Sequence, residues 1–410
     1  MKDTKRHLSD DLRAQRRLIR QYYTLSCLFN AGGLSIISAI YVSFLMRNGM
    51  SLLQVNLVNT AYFLTLFVCE IPTGAFADIF GRKTSFVAAC GLMSASMFIY
   101  GSSHTFAGFA LAEIVGAVGS TFRSGAFQAW FVDGMKHHGY DGDLRPIFGR
   151  ESFIRQVGGA IGAVAGSYMS ACHAALPWFV GGIFLAVTTF VAWRTMEEEY
   201  FVHKSFSWKR GFAAMRDVAI SSMRYGSSHK AVRFILIMTC MQIFAVQPLN
   251  MYWQPYFKGL NVSESHLGYF FVAMMAAVTA GAYISSRIRC VGTEKKMIIR
   301  TQALTGVLIV ATVLVPGLPL AAVMFTLHEL PRGCWNPMID SYLQKRIPSG
   351  ERATITSFCA IAPHIGGAFG LVVSGLIAQS CGIATSWAVA GIALIVGALL
   401  IGKNGNGKDD

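Results

Sequence analysis

Charge is scarce in this chain. Of its 410 residues only 14% are Asp, Glu, Lys or Arg, whereas 53% are hydrophobic. A water-soluble protein of this length needs about a quarter of its residues charged to cover its surface, so an ordinary soluble domain is excluded. Metal-ligand spacing is also missing. The nine cysteines are scattered, mostly inside apolar runs, where they read as small packing residues. No paired-histidine motif lies on a helix and no nucleophile stands beside a base, so nothing suggests an enzyme, a metal site or a cofactor. No loop has a glycine, four residues, and then Gly-Lys-Ser or Gly-Lys-Thr, so no ATP motor is expected within the chain. The net charge of +14 could suggest nucleic acid. Its basic residues, however, fall in short stretches between long apolar runs, not on a nucleic-acid module.

What is abundant is apolar length. A helix needs about 20 apolar residues to cross a bilayer. Twelve candidates can be marked: 22–46, 51–77, 84–102, 105–132, 152–170, 176–194, 231–257, 263–286, 297–315, 318–345, 354–379 and 383–402. An all-α integral membrane protein follows. The 41 glycines suit helices that approach one another closely. Lys and Arg crowd the segments on one side, while the loops of the other side hold Arg47 and Lys258. By the positive-inside rule both termini are expected in the cytoplasm, with the chain in the inner (cytoplasmic) membrane. The segment 1–21 is read as a basic anchor on anionic lipid. Its apolar continuation is too long for a signal peptide.

The longest polar gap, 195–230, follows the sixth run and is expected to include a surface helix. It divides the chain into a bundle over 22–194 and a second over 231–402, with a tail at 403–410. Transporters are often built from two such repeats. Span 4 ends Ser124-Gly125-Ala126-Phe127-Gln128-Ala129-Trp130-Phe131-Val132-Asp133, and span 10 ends Arg332-Gly333-Cys334-Trp335-Asn336-Pro337-Met338-Ile339-Asp340. The two endings echo each other weakly.

Between spans 2 and 3 stands Gly74-Ala75-Phe76-Ala77-Asp78-Ile79-Phe80-Gly81-Arg82-Lys83. This resembles the signature loop of the major facilitator superfamily, at the position where that family carries it. The general character is closest to bacterial drug and metabolite exporters. The resemblance implies two pseudo-symmetric six-helix bundles and alternating access. It also implies that Asp78 meets the N-terminus of span 11, that Arg82 pairs with Asp133, and that these contacts latch the protein in one state. The residues alone give Gly74 a role in close helix approach and Gly81 a role in a tight turn. The matching loop in the second half keeps Arg287, Arg289, Gly292, Lys295 and Lys296. It has Ser285 where an acid would stand, so the latch is expected to be asymmetric.

Ionisable residues at membrane depth are functional candidates. In span 10, Glu329, Arg332, Asn336 and Asp340 share a helical face, with His328 beside them, and Glu329 lies about 16 Å from the end of the span. Pro331 is expected to kink the helix there. Burial favours a protonated carboxyl and a neighbouring guanidinium favours the charged form. Glu329 with His328 is therefore a candidate proton-coupling site, Glu113 in span 4 is its competitor, and a structural Glu329–Arg332 ion pair is the alternative. Candidate substrate contacts are Asn30, Arg123, Gln247, Asn250, Arg332, Trp335 and Asn336. In span 5, Gly158, Gly159, Gly162 and Gly166 read as a packing stripe. Related exporters carry a proline in this region that is absent here, which weakens antiport. The expected partners are a small amphiphilic solute, protons and lipid, with the chain acting as a monomer and its transport directed outward. The alternatives are an anionic metabolite or siderophore held by Arg123 and Arg332, or a non-transporting receptor.

Overall fold

Lipid offers no hydrogen bonds, so an apolar chain must satisfy its backbone within helices. The computed structural model describes residues 2–198, 201, 230–288, 293–347 and 352–404, and no strand occurs among them. In chain order the helices are α1 (Lys2–Cys27), a π-helical segment (Leu28–Leu34), α2 (Ser35–Ser38), α3 (Tyr41–Arg47), α4 (Leu52–Phe80), α5 (Arg82–Ser102), α6 (Phe106–Arg123), α7 (Ala126–His137), α8 (Arg145–Cys172) and α9 (Leu176–Thr195). Then follow α10 (Lys230–Gly259), a 3-10 turn (Glu264–His266), α11 (Leu267–Arg287), α12 (Glu294–Leu314), α13 (Leu318–Leu327), α14 (Glu329–Arg346), α15 (Arg352–Cys381) and α16 (Ile383–Asn404). The surface helix expected in 195–230 and the tail at 405–410 lie outside the described residues.

Among the described residues, nine helices are long and apolar enough to cross a membrane. The count is ten when Asp11–Ser38 and Tyr41–Arg47, bent by 49°, are taken as one span. The expected spans at 152–170 and 318–345 fall outside that set. The first lies in α8, which carries Arg145, Arg150, Glu151 and Arg155; the second is split into α13 and α14 and carries Glu329, Arg332 and Asp340. Within 152–170 the glycines, serines, Gln156 and Arg155 lower the hydropathy, whereas 318–345 is divided into helices of 10 and 18 residues, the longer carrying the charges.

Two compact units emerge. The first comprises Met1–Ala39 and Val68–Ala213, the second Ile40–Phe67 and Ala214–Asp410. Residues 40–67, the end of the first expected span and the start of the second, thus pack with the later helices, and α4 passes from one unit to the other along its length.

Three expected spans are not continuous helices. The basic segment 1–21 is helically continuous with the start of span 1, because α1 runs unbroken from Lys2 through Cys27. Span 1 then widens into the π segment. Within the first unit it packs closely against the glycines of α8. A Cβ at Gly162 would overlap the carbonyl oxygen of Ala31, and one at Gly166 would overlap that of Ile36 in α2, so backbone meets backbone there. Span 4 breaks between α6 and α7 at Gly125, whose φ of 73° is left-handed and is accessible to glycine at little cost. Span 10 breaks at His328, not at Pro331. Proline lacks the N–H that would bond the carbonyl four residues earlier and its ring crowds that carbonyl, so the disruption falls one turn upstream, next to Leu327.

Candidate functional site

The break between α13 and α14 assembles the strongest cluster. Glu329 is the first residue of α14, where an acid interacts favourably with the helix dipole. It is 1% exposed. Arg332 Nη1 donates to both of its oxygens, at 2.8 and 3.0 Å. His328, fully buried, places Nε2 3.6 Å from Glu329 Oε1 and Nδ1 against the Phe325 carbonyl. The Phe325 ring lies 4.7 Å from the imidazole and stacks at 5.1 Å on Trp387. Trp387 Nε1 donates to the Pro248 carbonyl at 2.9 Å. The carboxylate, the guanidinium and the imidazole therefore sit at a helix discontinuity in apolar surroundings.

Two glycines fix the first turns of α14. A Cβ at Gly333 would overlap the Val278 carbonyl, and one at Gly281 would overlap that of Leu330. Cys334 Sγ donates to the Gly281 carbonyl at 3.1 Å. This α11–α14 approach went unread in the sequence, although Ala273, Ala277, Gly281 and Ser285 recur at every fourth position of α11. Further along α14 the faces separate. Asn336 and Asp340 are exposed, Arg332 is half-buried, and Trp335 joins Phe234, Met238, Met338 and Ile339 in a buried apolar cluster. Trp335 is thus a packing residue here.

On α10 of the same unit, Gln247 is buried with its Nε2 near Gly367, and Asn250 is half-buried. Gln254 Oε1 accepts the Ser43 backbone N–H at 2.9 Å. Near it lies a polar knot that sequence reading missed. Lys258 Nζ donates to Glu264 Oε2 at 2.6 Å and to Ser43 Oγ at 2.8 Å, and Ser43 Oγ donates to the same carboxylate at 2.8 Å. The available signal was a Lys and a Glu flanking the turn at Asn261, whose φ is 67°.

The first unit holds the remaining candidates. Glu113 is 7% exposed and receives the Tyr100 hydroxyl at 2.6 Å; the Tyr100 ring stacks on Trp178 at 4.2 Å. Glu113 therefore faces α5 and serves the packing between α5 and α6. Asn30, in the π segment, donates to the Ser26 carbonyl at 2.8 Å. Arg123 ends α6 with its Cζ 5.2 Å from the Phe29 ring centroid, a cation–π contact. Its buried Nε has no hydrogen-bond partner among the described residues.

At the signature loop, Arg82 Nη1 pairs with Asp133 Oδ2. Gly81 has φ 92°, and a Cβ there would come 2.6 Å from Glu198 Oε2. Glu198 is a further participant. Its two oxygens accept the backbone N–H groups of Arg82 and Lys83, both at 2.9 Å, and so satisfy donors at the start of α5 that no helix carbonyl can reach. Beside it, Glu197 pairs with Arg17 at 2.8 Å and its carbonyl accepts Trp130 Nε1 at 2.9 Å. Asp78 is exposed, and part of the segment ahead of α15 that would receive it lies outside the described residues. At Gly74 no described residue lies within 4 Å of where a Cβ would stand.

The family profile of the Major Facilitator Superfamily matches residues 23–292 and 234–404. A relative from Bacillus subtilis (strain 168), the uncharacterized MFS-type transporter YxaM, is 22% identical over 393 residues, covering 92% of this chain and 94% of that one. The crystal structure of nucleoside transporter NupG superposes with a TM-score of 0.76 at 13% identity, covering 96% of this chain and 100% of that one. The POT family transporter PepTSo superposes at 0.69 and 12% identity, covering 95% and 97%. These two likenesses concern the fold. Together with the apolar helices, the family match identifies a multi-pass membrane transporter, and this chain belongs to the major facilitator superfamily.

Proposed function

We propose that this transporter moves a small amphiphilic solute outward across the inner membrane by alternating access, driven by protons, with both termini in the cytoplasm. The observation that carries the proton reading is Glu329: a carboxylate buried to 1% exposure at the break of span 10, in contact with one permanent cation, Arg332, and one titratable ring, His328. Ionisable groups in such surroundings mark proton and substrate pathways, and broken helices are a recurrent setting for coupling sites. Arg332 can hold the Glu329 carboxylate or release it to a proton. Glu113 remains the competing carboxyl, but its bond to Tyr100 gives it structural work. The Arg82–Asp133 pair, with Gly81 and Glu198 beneath it, serves as the conformational latch.

A second reading, an anionic metabolite, draws on Arg123, whose guanidinium is partly buried with Nε unpartnered among the described residues. One experiment addresses both. Purified protein in liposomes is given an imposed pH gradient and offered ethidium, labelled uridine, a labelled dipeptide and a labelled dicarboxylate. Gradient-dependent movement of ethidium supports the amphiphile reading. Movement of the dicarboxylate, lost in Arg123→Gln, supports the anion. Movement that ignores the gradient removes proton coupling.

A further inference from the structure

The second half of the chain carries a counterpart of the Arg82–Asp133 pair. Sequence reading looked for its acid near position 285 and found Ser285. The structure places an acid elsewhere. Glu294 is the first residue of α12, and Lys345 and Arg346 are the last two of α14. Lys345 Nζ stands 2.7 Å from Glu294 Oε1, and Arg346 Nη2 stands 4.0 Å from Oε2. Advancing by six expected spans maps α5 onto α12 and α7 onto α14. In the first half the base opens span 3 and the acid closes span 4. In the second half the acid opens span 9 and the bases close span 10. The position of the pair is retained and its polarity is reversed.

We infer that Glu294 is a positioning residue for transport: through Lys345 it clamps the end of α14 onto α12, and so holds the helix that begins at Glu329. The inference rests on the transport reading given above. Glu294 has its side chain 7% exposed, whereas Lys345 is 54% exposed, so the buried partner is the anchor and the lysine is the arm that reaches it. Arg346 is itself fixed, with Cζ 4.0 Å from the Tyr342 ring centroid, and Tyr342 belongs to the buried cluster with Phe234 and Trp335. At its other end α14 is held by the Gly281–Gly333 approach. α14 is thus gripped at both ends, with Pro337 between them, and a displacement at Glu329 reaches the Glu294 end through these grips. An acid that opens a helix is also favoured by the dipole of that helix, which is why the polarity can be reversed without loss of the clamp.

Hydrogen–deuterium exchange of the full chain in lipid nanodiscs tests this without knowledge of the substrate. Glu294→Gln should raise exchange about threefold in peptides covering 284–300 and 340–347, as expected for loss of a modest ion pair. Because access alternates, exchange should fall together at the opposite end, in peptides covering 41–60 and 254–266. The charge-swapped Glu294→Lys/Lys345→Glu protein should restore both. Lys345→Gln, at an exposed position, repeats the test if Glu294→Gln fails to fold. A change confined to 284–347, or the same in both directions of the swap, makes the pair a local staple and overturns the inference. If Arg82→Ala likewise produces no opposed change at the two ends, it is the alternating-access reading that fails.

Discussion

Removal of Arg332 is the most revealing perturbation of the α13–α14 break. Arg332→Ala would delete a guanidinium that donates to both Glu329 oxygens at 2.8 and 3.0 Å and leave a carboxylate that is 1% exposed. Stranding one partner of a buried pair costs about 3–5 kcal/mol. The Arg332 side chain keeps 29% of its surface exposed, and this access to solvent reduces the expected loss to about 2–3 kcal/mol. Glu329→Gln should cost less, about 1 kcal/mol, because the guanidinium left behind is the more solvated partner. The double variant Glu329→Gln/Arg332→Ala should therefore be more stable than Arg332→Ala alone. The assay is reversible unfolding in mixed micelles followed by tryptophan fluorescence, with the four proteins forming a double-mutant cycle. An Arg332→Ala protein no less stable than Glu329→Gln, with additive effects in the double variant, would refute a buried ion pair.

Other contacts carry further expected outcomes. Gly166→Leu should destabilise by more than the roughly 1–3 kcal/mol of ordinary overpacking, because the obstacle is the Ile36 backbone; monodisperse protein with parental melting would contradict this. Glu198→Ala should lose about 1–2 kcal/mol, as for other helix N-terminal acceptors, with raised amide exchange at Arg82 and Lys83 as the check. Tyr100→Phe should cost about 1–2 kcal/mol by removing the hydroxyl that Glu113 receives, and Glu113→Gln should leave pH-driven movement of the transported probe near the parental rate. Loss of that movement in Glu113→Gln would transfer the coupling role to span 4.

The legible part of the molecule is what depends on local composition. Apolar runs marked the helices, because a bilayer leaves backbone no other partner, and the ten residues from Gly74 to Lys83 marked the family. Glu329, Arg332 and Asn336 could be placed on one face from helical spacing alone. What could not be read depends on neighbours distant in the chain. The approach of Gly162 and Gly166 in α8 to the backbone at Ala31 and Ile36 is one such case, and no local pattern at 28–34 announces the π segment. Pro331 did signal a break, but its steric effect acts one turn earlier, at His328. Trp335 was a candidate substrate contact, and its packing in the cluster with Phe234 and Met338 could not be read from span 10 alone. The Glu294–Lys345 pair joins residues in two different helices, and the search for an acid at the homologous loop position looked past it.

The most direct measurement compares uphill accumulation with exchange in Glu329→Gln. Proteoliposomes holding the parental protein or the variant are loaded with the transported probe, and two quantities are followed: concentration of label against its gradient when a pH difference is imposed, and label exchange at equal pH. With Glu329 as the coupling carboxyl, the variant exchanges label at close to the parental rate and accumulates none against the gradient. Uphill accumulation by Glu329→Gln with parental pH dependence would contradict the account and leave the Glu329–Arg332 pair as structure alone.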